Sequence, residues 1–134
     1  MFNKDTKILI VDDLKTIRSI LTEILWKIGF TTIDEAENGK EALKKIQEAY
    51  EEGTPYGLIF CDWNMPEYTG IDLLNAKNSI PSIKDTPFIM VTIESERSYV
   101  LKAVTLGVDD FIVKPFDEVI ILKKLKSVWE RLNE

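Results

Sequence analysis

Five side chains, Asp12, Asp13, Asp62, Thr92 and Lys114, have types and positions suited to moving a phosphoryl group. Each follows a short apolar run. Asp12-Asp13 come after Ile8-Leu9-Ile10-Val11, and Asp62 after Leu58-Ile59-Phe60-Cys61. Thr92 comes after Phe88-Ile89-Met90-Val91, and Lys114 after Phe111-Ile112-Val113. Three carboxylates brought to one place repel one another unless something positive intervenes. A hard divalent cation with oxygen ligands is the simplest remedy. Mg²⁺ suits a shallow site that keeps several waters and leaves room for a phosphate oxygen. Thr92 could donate a hydrogen bond to that phosphate, and Lys114 could neutralise another oxygen. One carboxylate could then act as nucleophile toward phosphorus, giving an aspartyl phosphate.

Taken singly, each residue has a plainer reading. An Asp pair after a strand is more often a loop and helix N-cap. A lone Thr or Lys at a strand end is usually solvated. The joint occurrence carries the argument, because four strand ends bear complementary chemistry.

The elements that must position these residues are legible in the pattern. Continuous apolar runs of four suit strands buried on both faces, as in a parallel sheet. Thr31-Thr32-Ile33 adds a fifth strand from its β-branched content. Helical spacing fills the gaps. Leu14, Ile17, Leu21, Ile24, Leu25 and Ile28 make a first helix, stopped by Gly29. Ala42, Leu43, Ile46, Ala49 and Tyr50 make a second, closed by Gly53. Ile71, Leu74 and Ala76 make a shorter third. Tyr99, Val100, Ala103, Val104 and Leu106 make a fourth, ending at Gly107. Ile121, Leu122, Leu125, Val128, Trp129 and Leu132 make a fifth, with Asp117 as its N-cap. The order βαβαβαβαβα predicts an α/β fold, a doubly wound five-stranded parallel sheet with five helices. Ligand sites in such sheets lie beyond the C-terminal strand ends, where Asp12, Asp13, Asp62, Thr92 and Lys114 fall.

Composition narrows the classes. The chain has 134 residues, enough for one domain with its own core. With 17 Lys+Arg against 23 Asp+Glu, its net charge is −6, a poor match to a nucleic-acid backbone. It has no His, which removes His metal sites and Ser-His-Asp or Cys-His catalysis. Its one Cys excludes an internal disulfide and a thiolate zinc site. No strictly apolar run exceeds four residues, so no membrane insertion is expected, and the start of the chain lacks a signal peptide's apolar region. The expected location is the cytoplasm.

Together these motifs resemble the receiver domain of two-component response regulators, in particular the single-domain chemotaxis regulators. The resemblance runs through Ile8-Leu9-Ile10-Val11-Asp12-Asp13, Ala36-Glu37-Asn38-Gly39, Asp62-Trp63-Asn64-Met65-Pro66, Gly70, Val91-Thr92 and Lys114-Pro115-Phe116. It spans essentially the whole chain and implies one receiver domain over residues 1–134, flavodoxin-like, with strand order 2-1-3-4-5 and no fused output domain. It implies Asp62 as phosphoacceptor. It assigns Mg²⁺ to Asp12, Asp13, Asp62 and the backbone carbonyl of Asn64. Thr92 and Lys114 would contact the phosphoryl group, and Lys114–Pro115 would be cis. The donor would be a phosphohistidine on a sensor histidine kinase or a His phosphotransferase. The protein would be a switch, not an enzyme, apart from catalysing its own phosphorylation and dephosphorylation. It would be a monomer when unphosphorylated. Its target would bind the face of the fourth helix, fifth strand and fifth helix, with a flagellar motor component as the first candidate.

There are departures and alternatives. Phe111 stands where the chemotaxis regulators have a switching Tyr, so the switch pair becomes Thr92 and Phe111 without a ring hydroxyl. Ile93 follows Thr92 where the family prefers a small residue, and is expected to crowd access to Asp62. Asn64 and Glu94 occupy positions that tune dephosphorylation in the family. Trp63 is expected to be exposed beside the acceptor. Lys123, Lys124, Lys126 and Arg131 make the last helix locally basic, either a solvated face or a surface for an acidic partner. A phosphorelay intermediate that passes phosphate to a His phosphotransferase fits the same residues. A small Asp-nucleophile phosphohydrolase is the alternative from another class. The dehalogenase-like pattern of that class wants Asp-x-Asp after the first strand, where this chain has adjacent Asp12-Asp13. A flavodoxin-like FMN carrier is disfavoured because Asp12-Asp13 would repel the FMN phosphate.

Overall fold

The computed structural model describes residues 1–93 and 100–134. Its strands are β1 (Ile8–Val11), β2 (Ile33–Ala36), β3 (Leu58–Asp62), β4 (Phe88–Ile93) and β5 (Asp110–Lys114). Its helices are α1 (Lys15–Ile28), α2 (Gly39–Glu51), α3 (Gly70–Asn78), α4 (Val100–Thr105) and α5 (Glu118–Leu132). The strands form one parallel sheet in the order β2-β1-β3-β4-β5, as expected.

Alternation along each strand sorts the apolar runs into two cores. Ile8, Ile10, Leu58, Phe60, Ile89, Val91 and Ile112 lie on one side, with Leu21 and Leu25 of α1 and Ile121, Leu125 and Val128 of α5. Leu9, Val11, Ile59, Cys61, Phe88 and Met90 lie on the other, with residues of α2, α3 and α4. Each such side chain is nearly or completely buried, which stabilises the fold by about 1.5–3 kcal/mol for a Leu, Ile, Val or Phe. This two-sided burial is why those strands read as unbroken apolar runs and not as alternating ones.

The structure displaces β2 from the expected Thr31-Thr32-Ile33 to Ile33-Asp34-Glu35-Ala36. Register decides this. Residues Ile8 to Val11 pair in turn with Ile33 to Ala36, and Thr32 contributes only the carbonyl that accepts from the Ile8 amide at 2.9 Å. β2 is an edge strand, so polar Asp34 and Glu35 are tolerated there, and β-branched content misplaces it.

The helices follow their expected stripes with a few residues turned outward. Leu14 is the N-cap of α1 and 53% exposed, not part of its buried face. Tyr50, Val104 and Leu132 are also exposed, at the margins of their stripes. Tyr99, assigned to the fourth helix by spacing, lies outside the described residues. The starts of α2, α3 and α5 are set by side-chain caps. Asn38 accepts from the Glu41 amide at 2.8 Å and Asp117 from the Ile120 amide at 2.9 Å. Thr69 and Asp72 form a reciprocal capping box that opens α3. No described helix is long and apolar enough to cross a membrane.

Candidate functional site

The C-terminal ends of β1, β3 and β5 meet at one edge of the sheet. Asp12 directly follows β1, Asp62 ends β3 and Lys114 ends β5. The Lys114 ammonium donates to Asp62 Oδ1 at 3.1 Å and to Asp12 Oδ2 at 3.2 Å. Asp12 and Asp62 are only 2% and 4% exposed. Asp13 is exposed, yet its carboxylate completes a group with Asp12 and Asp62 whose ligand oxygens lie within 4.8 Å of one another. One ammonium therefore faces three carboxylates.

The electrostatics follow from that imbalance. Burial, then the neighbouring Asp12 charge, pushes the Asp62 carboxyl up to about 6, against the pull of Lys114. Burial also raises Asp12, partly offset by the Leu14 amide donating to Oδ1 at 2.9 Å. Burial lowers Lys114, but Asp62 and Asp12 outweigh it and hold the ammonium above its ordinary range. An all-oxygen donor set with surplus negative charge fits a hard divalent cation such as Mg²⁺.

Thr92, on β4 between β3 and β5, is 4% exposed, and its hydroxyl donates to the Ile93 carbonyl at 3.3 Å. Ile93 pairs with Lys114 in the sheet register and is 42% exposed, at the rim of the edge. Phe111 pairs with Met90 and packs half-buried against the core on the α2–α4 side, the side Thr92 also faces by alternation. Asn64 is exposed on the loop after β3. Glu94 lies outside the described residues. Trp63 is half-buried against the core, not exposed as expected. The loop doubles back there, with the Gly70 amide donating to the Trp63 carbonyl at 3.0 Å. The Lys114–Pro115 peptide is cis, as the resemblance implies.

Sequence reasoning missed two supports. Arg18 donates to the Asp12 carbonyl at 2.7 Å and pairs with Glu35 at 3.0 Å, tying the ends of β1 and β2 together. Its signal was a charged residue at helical spacing within the stripe Leu14, Leu21, Leu25. Asp110 is the second. It accepts from Lys124 at 3.1 Å, from Arg131 at 3.3 Å and from the Phe111 amide at 2.8 Å. Two of the four basic residues of α5 are thus paired within the chain, while Lys123 and Lys126 are exposed.

A parallel sheet of this strand order, with acidic groups and a lysine gathered at its C-terminal edge, is the architecture of a signalling receiver. The chain belongs to the response regulator receiver domain family, whose model matches residues 8–126. It is 39% identical over 127 residues to the chemotaxis protein CheY of Pseudomonas aeruginosa, covering 95% of this chain and 98% of that protein. It is 37% identical over 132 residues to CheY-3 of Vibrio cholerae, with 98% of each covered. Among solved structures it resembles CheY4 of Vibrio cholerae, with a TM-score of 0.81 and 32% identity over 92% of this chain and 98% of that one. It also resembles a putative response regulator from Chloroflexus aurantiacus, with a TM-score of 0.83 and 27% identity over 95% and 99% of the two chains. The protein is therefore a CheY-like receiver, a signalling switch of the two-component type.

The charge imbalance gives a stability prediction. A carboxyl raised from 3.8 to about 6 favours the fold at low pH and opposes it once ionised. In metal-free buffer at pH 7.5, Asp62→Asn should stabilise the protein by about 2 kcal/mol, from ~1.4 kcal/mol per pKa unit, discounted for solvent screening near the sheet edge. The gain should shrink as the pH falls through about 6 and disappear below the ordinary carboxylate range. Thermal melts across pH check this, and equal or lower stability of the variant at pH 7.5 contradicts it.

Proposed function

We propose that the 134 residues act as one receiver unit that accepts a phosphoryl group on Asp62 from a histidine kinase or His phosphotransferase, and relays that signal by protein binding. The observation that carries this reading is the buried Asp62 carboxylate held by Lys114 beside Asp12 and Asp13. Asp12, Asp13, Asp62 and the Asn64 carbonyl would hold Mg²⁺, which when bound would offset the negative edge and stabilise charge on the transferring group.

The chain's own residues supply the rest. Ionised Asp62 attacks phosphorus. The O–P bond forms as the P–N bond to the donor imidazole breaks, and the imidazole leaves with a proton from solvent. Lys114 already touches Asp62 Oδ1, so its ammonium is placed to follow a phosphoryl oxygen attached there. Thr92 would turn its hydroxyl toward that oxygen, and Phe111, one strand over on the same sheet side, would move into the space released. Such a change is a population shift between two packings of one fold.

The output face would be α4, β5 and α5, with Leu101, Val104, Val113 and Val119 exposed on these elements. An acidic partner segment would suit Lys123 and Lys126, which remain exposed. The likeness to chemotaxis proteins supports a flagellar motor component as the partner and the cytoplasm as the place of action.

The test is intact-mass spectrometry after incubation with phosphoramidate. A single phosphoryl adduct is expected in wild type with Mg²⁺, and none without Mg²⁺ or in Asp62→Asn. An adduct that persists in Asp62→Asn would move the acceptor elsewhere. Ile93, half-exposed at the rim, would slow both small donors and water. Ile93→Ala should raise both the phosphorylation rate and the hydrolysis rate by about tenfold, or ~1.4 kcal/mol of barrier. Unchanged rates by ³¹P NMR would remove Ile93 from this role.

A further inference from the structure

The loop between β3 and α3, residues 63–69, carries Asn64. It is anchored at its base. The Trp63 amide donates to Val91 at 2.9 Å, and Gly70 donates back to Trp63. Gly70 also lies against the end of β3, where an added Cβ would meet the Asp62 carbonyl oxygen at 2.5 Å. Met65, next to Asn64, is buried in the core.

The outer half is held differently. Pro66 and Glu67 are exposed, and Glu67 takes a left-handed backbone conformation, φ 65°. That turn is uncommon for a residue with a side chain. It is closed by the Tyr68 amide donating to the Pro66 carbonyl at 2.7 Å. Tyr68 then packs against Gly39, the first residue of α2. A Cβ on Gly39 would lie 2.2 Å from Tyr68 Cδ1 and 3.1 Å from the Tyr68 carbonyl oxygen. Ring and backbone of Tyr68 thus fill the space that any other residue at position 39 would need.

This contact lies beside the acidic edge. Asp13, Asn38, Lys40, Pro66 and Tyr68 line one cavity of about 320 Å³, so Tyr68 and Asp13 border the same opening. The ring also lines the adjoining groove along α2, with Lys40 and Leu43. Pro66 to Tyr68 follow Asn64 and Met65 directly, so the seat of Tyr68 on Gly39 anchors the outer end of the loop that carries Asn64.

We infer that Tyr68 is a positioning residue for the cation site, a latch whose seat on Gly39 sets where the Asn64 carbonyl points. This rests on the reading that the Asn64 carbonyl and the three aspartates hold Mg²⁺. The latch makes metal affinity depend on the α2 N-terminus, an element that supplies no ligand. Residues that orient metal ligands are typically worth about 10–100-fold in affinity. The ring, not its hydroxyl, makes the contact with Gly39, so Phe should serve in place of Tyr.

The test is calorimetric titration of Mg²⁺ into wild type, Gly39→Ala, Tyr68→Ala, Tyr68→Phe and the Gly39→Ala/Tyr68→Ala double variant, each with a thermal melt. Gly39→Ala and Tyr68→Ala should each weaken Mg²⁺ binding about tenfold while the protein stays folded. Tyr68→Phe should bind like wild type. The double variant should bind no more weakly than either single one, because both remove the same contact. If Gly39→Ala fails to fold, the contrast between Tyr68→Ala and Tyr68→Phe decides alone. Wild-type affinity in Tyr68→Ala, or additive losses in the double variant, would overturn the latch while leaving the cation site intact. No Mg²⁺ binding by wild type would overturn the cation site and the latch together.

Discussion

One ammonium between two buried carboxylates sets the character of this protein. Lys114 reaches Asp62 and Asp12 at nearly equal distances, and no other lysine or arginine is recorded in an ion pair with either carboxylate among the described residues. The pairing lets two nearly buried acids exist at the end of a sheet, while Asp13 adds a further negative charge at the rim. The site is consequently under-neutralised. Its surplus negative charge suits a divalent cation, and its central carboxyl is pushed up to about 6. The same deficit that costs stability makes Asp62 responsive to what binds beside it.

The rest of the fold serves that placement. Parallel register brings strand ends from positions 12, 62 and 114 to one edge although they are far apart in sequence. Arg18 and Glu35 tie the ends of β1 and β2, and Asp110 ties the start of β5 to α5. Phe111 therefore sits between two differently held neighbours. Its amide bonds to Asp110, while its ring packs on the opposite side of the sheet.

Sequence reading recovered the strands that are buried on both faces, because their apolar runs have no other use. The three aspartates, the threonine and the lysine could be picked out because each follows such a run, and the fold brings Asp12, Asp13, Asp62 and Lys114 together. It misplaced β2, an edge strand whose position is set by pairing with β1 and not by its own propensities. It took Leu14 for a buried position, where a cap turns the chain outward. The contacts made by Arg18, Asp110 and Tyr68 were not legible. Each depends on a partner brought near by the fold, as when Tyr68 meets Gly39 across 29 positions of sequence. Spacing reports which face a residue occupies, but not which distant residue it will touch.

The most direct measurement is the carboxyl ¹³C titration of Asp62 by NMR, in metal-free buffer and then with saturating Mg²⁺. A midpoint near 6 without metal, falling well below that when Mg²⁺ is added, is the expected result. It would show a buried acceptor short of positive charge that a cation completes. A midpoint in the ordinary range of about 3.9, unmoved by Mg²⁺, would mean that Lys114 alone satisfies the edge and that no cation site is built there.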